Sequence, residues 1–259
     1  MTASREYALP NTWKLAETRL LSLEQGHDPV TARRLRGLGV NRGWRCLELG
    51  AGRGSIARWL CDQVGVEGQV TAVDIDDRFL GQIGLPNLEV VRADVVSDPL
   101  PSGPFDLIHA RLLLIHLPAR NEVLGRLLPL LRPGGAVLFE EYDVFPITAT
   151  ADGAYGAAWS AFGRAMEHAG AAPTWVRTLP ARCVELGFVD VATDVDVPLF
   201  TAGSPEAEFW RLTWMQTADR MVAAGTTREV VKAGIAALSQ PGVWHYGPAM
   251  IAVSGRRTS

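Results

Sequence analysis

The chain has 259 residues, 47% of them hydrophobic and 20% charged, with a net charge of −3; this suits one large globular domain, or a core carrying a cap. The charge gives no overall basic field, which disfavours duplex nucleic acid as a partner. The 3 cysteines (Cys46, Cys61, Cys183) lie far apart without zinc-site spacing, the start MTASREYALPNTWKL lacks a secretory build, and no run of about 18 apolar residues is present to span a membrane, so the expectation is a cytoplasmic protein with free thiols.

Residues 12–25 place Trp13, Ala16, Leu20 and Leu23 on one helical face, and Gly26 is expected to break that helix before a second over 29–38. Arg45-Cys-Leu-Glu-Leu reads as a short buried strand running through Gly50-Ala-Gly-Arg-Gly into a helix over 55–64. Further strands are expected at 69–74, 88–91, 105–109 and 136–140, with a helix over roughly 119–131 that stops before Arg132-Pro-Gly-Gly. Strands alternating with helices imply a parallel, doubly wound sheet. Beyond 141 the pattern changes. Residues 152–170 read as a helix, 188–200 as an exposed or edge strand, 204–239 as two helices, and 248–256 as a last strand.

The strongest chemical signal is Leu47-Glu-Leu-Gly-Ala-Gly-Arg-Gly-Ser55. A glycine-rich turn between a first strand and a helix lets a ligand approach the backbone. The glycines run G-x-G-x-G, and Ser55 takes the place of the third glycine of a dinucleotide turn. Glu48, two positions before the first glycine, would repel a pyrophosphate but attract a sulfonium ligand with a free amino group. Asp74 ends the second strand, 24 residues after Gly50, where a carboxylate reaches ribose hydroxyls in either cofactor class. Asp94, in Arg92-Ala-Asp-Val, follows the third strand and can accept from an adenine amino group. Three acidic residues thus end three successive strands, on the edge where open α/β sheets bind ligands.

At these residues the sequence resembles the class I S-adenosylmethionine-dependent methyltransferases. LELGAGRGS, VTAVDID, VVRADV, FDLIHARLLLIHLP and LLPLLRPGGAVLFEE stand in the family's order over about 43–141. The resemblance implies a Rossmann-like α/β fold, doubly wound on a mostly parallel seven-stranded sheet, with a helical lid over 1–42. The methyltransferase domain would then run over 43–259, with cap insertions near 144–182 and 203–240. It implies that Glu48, Gly50, Ala51 and Gly52 wrap the methionine part of S-adenosylmethionine. Asp74 would take the ribose, Ile75 would pack on the adenine, and Asp94 and Val95 would take the adenine edge. Ala110 and Arg111 would line the methionine side, and Tyr7 and Arg19 of the lid would reach the methionine carboxylate; Arg19 also reads as a solvated helix charge.

No NPPY-type tetrapeptide follows the fourth strand, where His109-Ala-Arg-Leu stands, so nucleobase and glutamine amides are disfavoured as acceptors. The tryptophans of the later helices suit an apolar or aromatic small molecule, or plain helix packing. Methyl transfer needs mainly positioning and water exclusion. His116 is the candidate general base, and it could equally cap a helix or order a lid. Glu140, Glu141 and Asp143, read as following the fifth strand, would orient an acceptor or be solvated; His168 and His245 are weaker candidates. No metal is expected, and the protein would be a monomer or homodimer.

Three other readings compete. A nicotinamide dehydrogenase would need the dinucleotide glycine pattern and usually a Tyr-x-x-x-Lys pair, neither of which occurs. A protein of the same fold could use the cofactor structurally, for instance in a cyclisation. Methylation of RNA or protein would give the cluster Arg33, Arg34 and Arg36 a role beyond a solvated helix face.

Overall fold

The structure, a computed structural model, describes residues 8–259. Helix α1 (Ala16–Gly37) is continuous and passes through both Gly26 and Pro29, in place of the two helices expected from the break at Gly26. The glycine makes room: a Cβ there would come within 2.8 Å of Glu206 Oε1. The second half of α1 buries His27, Thr31, Arg34 and Leu35. That face has helical spacing but is mostly polar, so a search for apolar period passes over it.

The chain divides into two compact units. The first comprises His27–Glu141, Trp175–Asp194 and Ile251–Ser259. It holds β1 (Arg45–Leu49), α2 (Ser55–Val64), β2 (Gln69–Asp74), β3 (Leu88–Arg92), β4 (Phe105–Arg111) and α3 (Arg120–Gly125). Most of β5 (Leu131–Asp143) follows, and α3 stops at Gly125, short of the 119–131 expected, with a separate 3₁₀ turn containing Pro129 at Leu128–Leu130. Further along lie α4 (Phe145–Thr150) and α5 (Gly153–His168) of the second unit, then α6 (Leu179–Glu185) and the edge strand β6 (Val189–Asp196).

The second unit comprises the N-terminal residues up to Gly26, Tyr142–Thr174 and Val195–Met250. Besides α4 and α5 it contains β7 (Leu199–Thr201), α7 (Pro205–Ala223), α8 (Arg228–Ala237) and β8 (Trp244–Tyr246), and the last strand, β9 (Ala249–Arg256), leads back to the sheet. Strands β7 and β8 pair antiparallel. Ser204 starts α7, its Oγ accepting the Ala207 N–H at 3.2 Å. Rings of α5 and α7 pack closely, with Trp159 and Trp210 at 4.3 Å and Trp159 edge-on to Trp214 at 5.7 Å.

The main sheet has seven strands in the order β3-β2-β1-β4-β5-β9-β6. Strand β1 pairs in parallel with both β2 and β4, so the order reverses there and leaves a crevice at the carboxyl ends. Side chains alternate between two apolar layers. Leu47, Ile108, Val137 and Phe139 face one layer with α3 and α6, and Cys46, Leu107, Ala136 and Leu138 face the other with α1 and α2. On the second face the next residues outward are Glu48, His109 and Glu140, so this layer turns from apolar to ionic towards the carboxyl ends. No helix among the described residues is long and apolar enough to cross a membrane.

Candidate cofactor and active site

The turn from β1 into α2 is left-handed at Gly50, Gly52 and Gly54, with φ of 68°, 57° and 79°, a region that side chains with a Cβ rarely adopt. A Cβ on Gly50 would stand 3.1 Å from Leu113 Cδ1, so the turn rests on the loop that leaves β4. The Gly50 and Ala51 amides donate to the Val73 carbonyl at 2.8 and 3.2 Å. The Gly52 amide donates to Asp74 Oδ2 at 2.8 Å, and the Asp76 amide to Oδ1 at 3.0 Å. Asp74 therefore ties the glycine turn to the end of β2, and burial raises its carboxyl above the ordinary range.

The Ala93 amide donates to the Asp74 carbonyl at 3.0 Å, which brings the start of the next loop alongside. There Asp94 Oδ1 accepts the Val96 amide at 2.9 Å. Val95 is buried and Ile75 is 55% exposed. Glu48, Gly50, Ala51, Gly52, Asp74, Ile75, Asp94 and Val95 thus gather along the carboxyl ends of β1, β2 and β3.

An ion-pair network that sequence reasoning missed lies beside this row. Glu48 and His109 are register partners, and His109 Nδ1 stands 2.7 Å from Glu48 Oε2. The other ring nitrogen, Nε2, stands 3.0 Å from Glu140 Oε2. The Thr31 hydroxyl donates to the same Oε2 at 2.7 Å, and Arg34 to Oε1 at 2.6 Å. Arg111 donates to Thr31 at 2.9 Å and to Asp28 at 2.8 Å, and Arg34 also pairs with Asp194 of β6 at 2.7 Å. Carboxylates only accept, so an imidazole bonded to one at each nitrogen must carry both protons.

The charges follow this geometry. Burial alone would lower the His109 pKa, but Glu48 and Glu140 outweigh it and push it up to about 9. Burial would raise Glu140, but its bonds and charges with His109 and Arg111 hold it down to about 2. His27, also buried there, is lowered to about 3 by burial and by Arg111. A signal was available in the sequence: ionisable residues at 48, 109 and 140 share the face of apolar residues two positions earlier, in three strands of an expected parallel sheet.

The opposite face carries Glu141, which the sequence places past the fifth strand. Glu141 Oε1 accepts the Leu114 amide at 2.7 Å, while its Oε2 is buried without a hydrogen-bond partner. Burial pushes this carboxyl up to about 8. It anchors the helical turn Leu114–His116, which carries the half-buried His116 just after Leu112, a leucine held at φ 53°. Strain of this kind collects at functional sites.

Several expectations change. Glu140, Glu141 and Asp143 lie within β5 and are buried, so they are neither past the strand nor solvated. Arg111 is occupied by Asp28 and Thr31 of α1. Arg19 is buried in the second unit, its guanidinium 6.0 Å from the Phe209 ring, which replaces the solvated reading. Tyr7 lies outside the described residues. Cys46, Cys61 and Cys183 are buried free thiols, raised by burial, a state that makes them poor nucleophiles.

The model of a family described as a methyltransferase domain matches residues 17–187. A ubiquinone/menaquinone biosynthesis C-methyltransferase, UbiE, of Idiomarina loihiensis is 32% identical over 127 residues, 45% of this chain and 49% of that protein. The chain thus spans about half the length of the curated relatives it matches. The YcgJ protein of Bacillus subtilis shares the fold with a TM-score of 0.62 at 13% identity, over 90% of this chain and 100% of that one. Phosphoethanolamine N-methyltransferase 2 of Haemonchus contortus, solved with S-adenosylhomocysteine, has a TM-score of 0.57 at 15% identity, over 94% of this chain and 53% of that one. With the family matched over more than half the chain, the glycine turn in place and the fold shared, this chain belongs to the methyltransferase-domain family.

Proposed function

We propose that the chain methylates a small organic acceptor with an apolar or aromatic body, and that the cofactor lies along the carboxyl ends of β1 to β3. The observation that carries this reading is the row Glu48, Asp74 and Asp94 around a left-handed glycine turn. Such a row fits a cationic ligand and opposes a pyrophosphate. A Cβ at Gly50 would crowd Leu113, so glycine there lets the loop after β4 pack against the turn.

Bound there, the cofactor supplies a methyl group on a positively charged sulfur, with its leaving group built in. Glu48 receives the amino end, and Gly50, Ala51 and Gly52 lie against the methionine part. Asp74 takes the ribose hydroxyls in addition to the amides it already holds. Ile75, exposed, and Val95 pack on the adenine, and Asp94 accepts from its amino edge. Arg111 and Arg19 serve packing and charge balance in this reading, because α1 occupies the first and the second is buried against Phe209.

The remaining work is orientation and removal of water. His116 accepts the proton of an acceptor hydroxyl at an imidazole nitrogen, from a turn whose backbone Glu141 fixes. The relatives named as ubiquinone/menaquinone biosynthesis C-methyltransferases support a ring acceptor related to quinones. Buried free thiols suit a cytoplasmic setting.

The test is transfer of label from methyl-labelled S-adenosylmethionine to a hydroquinone, a catechol and an aliphatic amine offered together. Label in the hydroquinone or catechol is expected. Label in the amine alone, or label retained in the cofactor throughout, contradicts this acceptor class.

A further inference from the structure

Interior strands of a parallel sheet are ordinarily apolar. Buried ion pairs add little net stability over well-packed apolar residues, so the network across β1, β4 and β5 calls for a role beyond holding the fold. Its two buried carboxylates differ. Glu140 uses both oxygens within the protein, with Arg34 on Oε1 and with His109 and Thr31 on Oε2. Glu48 uses only Oε2, on His109, and is bonded to no other described residue.

We propose that His109 is a positioning residue for the cofactor: its doubly protonated ring fixes Glu48 Oε2, leaves Oε1 to the cofactor's ammonium group, and ties that carboxylate through Glu140 to Thr31 and Arg34 of α1. Cofactor binding and the docking of α1 on the sheet are then one linked equilibrium. The inference rests on the cofactor reading above. All its members lie in the sheet-bearing unit.

The geometry carries the point. A neutral imidazole offers one N–H and would leave a carboxylate facing a lone pair at 2.7 or 3.0 Å. The charged and titratable groups around His109 are Glu48 from β1, Arg111 from β4 and Glu140 from β5. Helix α1 adds His27, Asp28 and Arg34, and Asp194 of β6 lies behind Arg34. Two carboxylates face the ring directly, and both arginines are already paired to acids, so the site favours the protonated ring. By linkage, a ligand that needs Glu48 held in place strengthens the attachment of α1, and a loosened α1 weakens the ligand.

The experiment has two arms. In the wild-type protein labelled with ¹⁵N-histidine, both ring nitrogens of His109 are expected to be protonated at pH 7.5 and to remain so until about pH 9. A neutral tautomer at pH 7.5 overturns the proposal, whether or not any variant folds. In the second arm, S-adenosylhomocysteine is titrated into wild type and His109→Gln, with hydrogen exchange followed over residues 27–37. Glutamine carries both of its N–H donors on one nitrogen and cannot span the two carboxylates as the two ring nitrogens do. The expected result is at least about tenfold weaker binding in the variant, together with loss of the protection that the ligand gives α1 in wild type. Equal affinity, or wild-type binding without added protection of α1, overturns the inference and leaves the cofactor reading standing. Failure of the wild type to bind overturns both.

Discussion

Glu140 and Glu141 stand next to each other on β5, neither with exposed surface, one on each face of the sheet. The first meets His109, Thr31 and Arg34 and is held down to about 2. The second meets the Leu114 amide, keeps one oxygen unbonded, and is pushed up to about 8 by burial. Equal burial thus gives opposite protonation, because the partners decide which form is favoured. One face of the sheet holds a fixed charge system beside the row of residues proposed to hold the cofactor. The other holds a nearly neutral acid that pins the loop carrying the candidate base.

The largest effect is expected on the charged face. Glu140→Leu leaves Arg34 and His109 without their buried partner and should destabilise the protein by about 3–5 kcal/mol in urea unfolding. A loss below about 1 kcal/mol would mean that the pairs are solvated in solution and that the contrast between the faces is wrong.

The second prediction uses pH. Unfolded Glu141 ionises near 4.5 and the folded residue only near 8. Between those values the unfolded state binds fewer protons, so stability should fall as pH rises, by up to about 1.4 kcal/mol per pH unit. Glu141→Gln should lessen that slope, most clearly between pH 4.5 and 6.5 where His109 does not contribute, and be the more stable protein at pH 8. On the charged face Glu140 has the opposite sign and His109 the same sign as Glu141. Glu140 contributes stability that is present above 4.5 and lost as pH falls through about 2. His109 contributes stability that is full below 6.5 and lost as pH rises through about 9. A variant whose slope between pH 5 and 8 matches wild type would refute the assignment to Glu141.

Thr31→Val tests the link to α1. It removes a hydroxyl that donates to Glu140 and accepts from Arg111, at an expected loss of about 2 kcal/mol in the same unfolding assay. The smallest effect belongs to Arg33→Ala. Arg33 pairs with Asp194 at 3.1 Å with the two side chains 63% and 45% exposed, so the change should stay within about 0.5 kcal/mol. A larger loss there would extend the charge system to the surface.

The sheet and its glycine turn were legible because their signals are local: short β-branched runs, punctuating glycines, and acids at strand ends. Helix α1 was misread as two helices, since room for Gly26 depends on Glu206, distant in sequence, and a buried helix face of His27, Thr31 and Arg34 has no apolar signature. The acids of β5 were misplaced because Glu140, Glu141 and Asp143 resemble a solvated strand exit, whereas the strand continues to Asp143. In the sequence His109 stands out only for the tetrapeptide it displaces. Its meaning depends on register with Glu48 and Glu140, which sequence spacing alone does not reveal. Glu141 needed the fold of the loop after β4 to be seen as an anchor.

The most direct test of the central claim is calorimetric titration of the wild type and Glu48→Gln with S-adenosylmethionine, S-adenosylhomocysteine and NADH. The account predicts saturable binding of the two sulfur ligands at one site, no binding of NADH, and at least about tenfold weaker affinity in the variant. Binding of NADH alone, or unchanged affinity in Glu48→Gln, would contradict it.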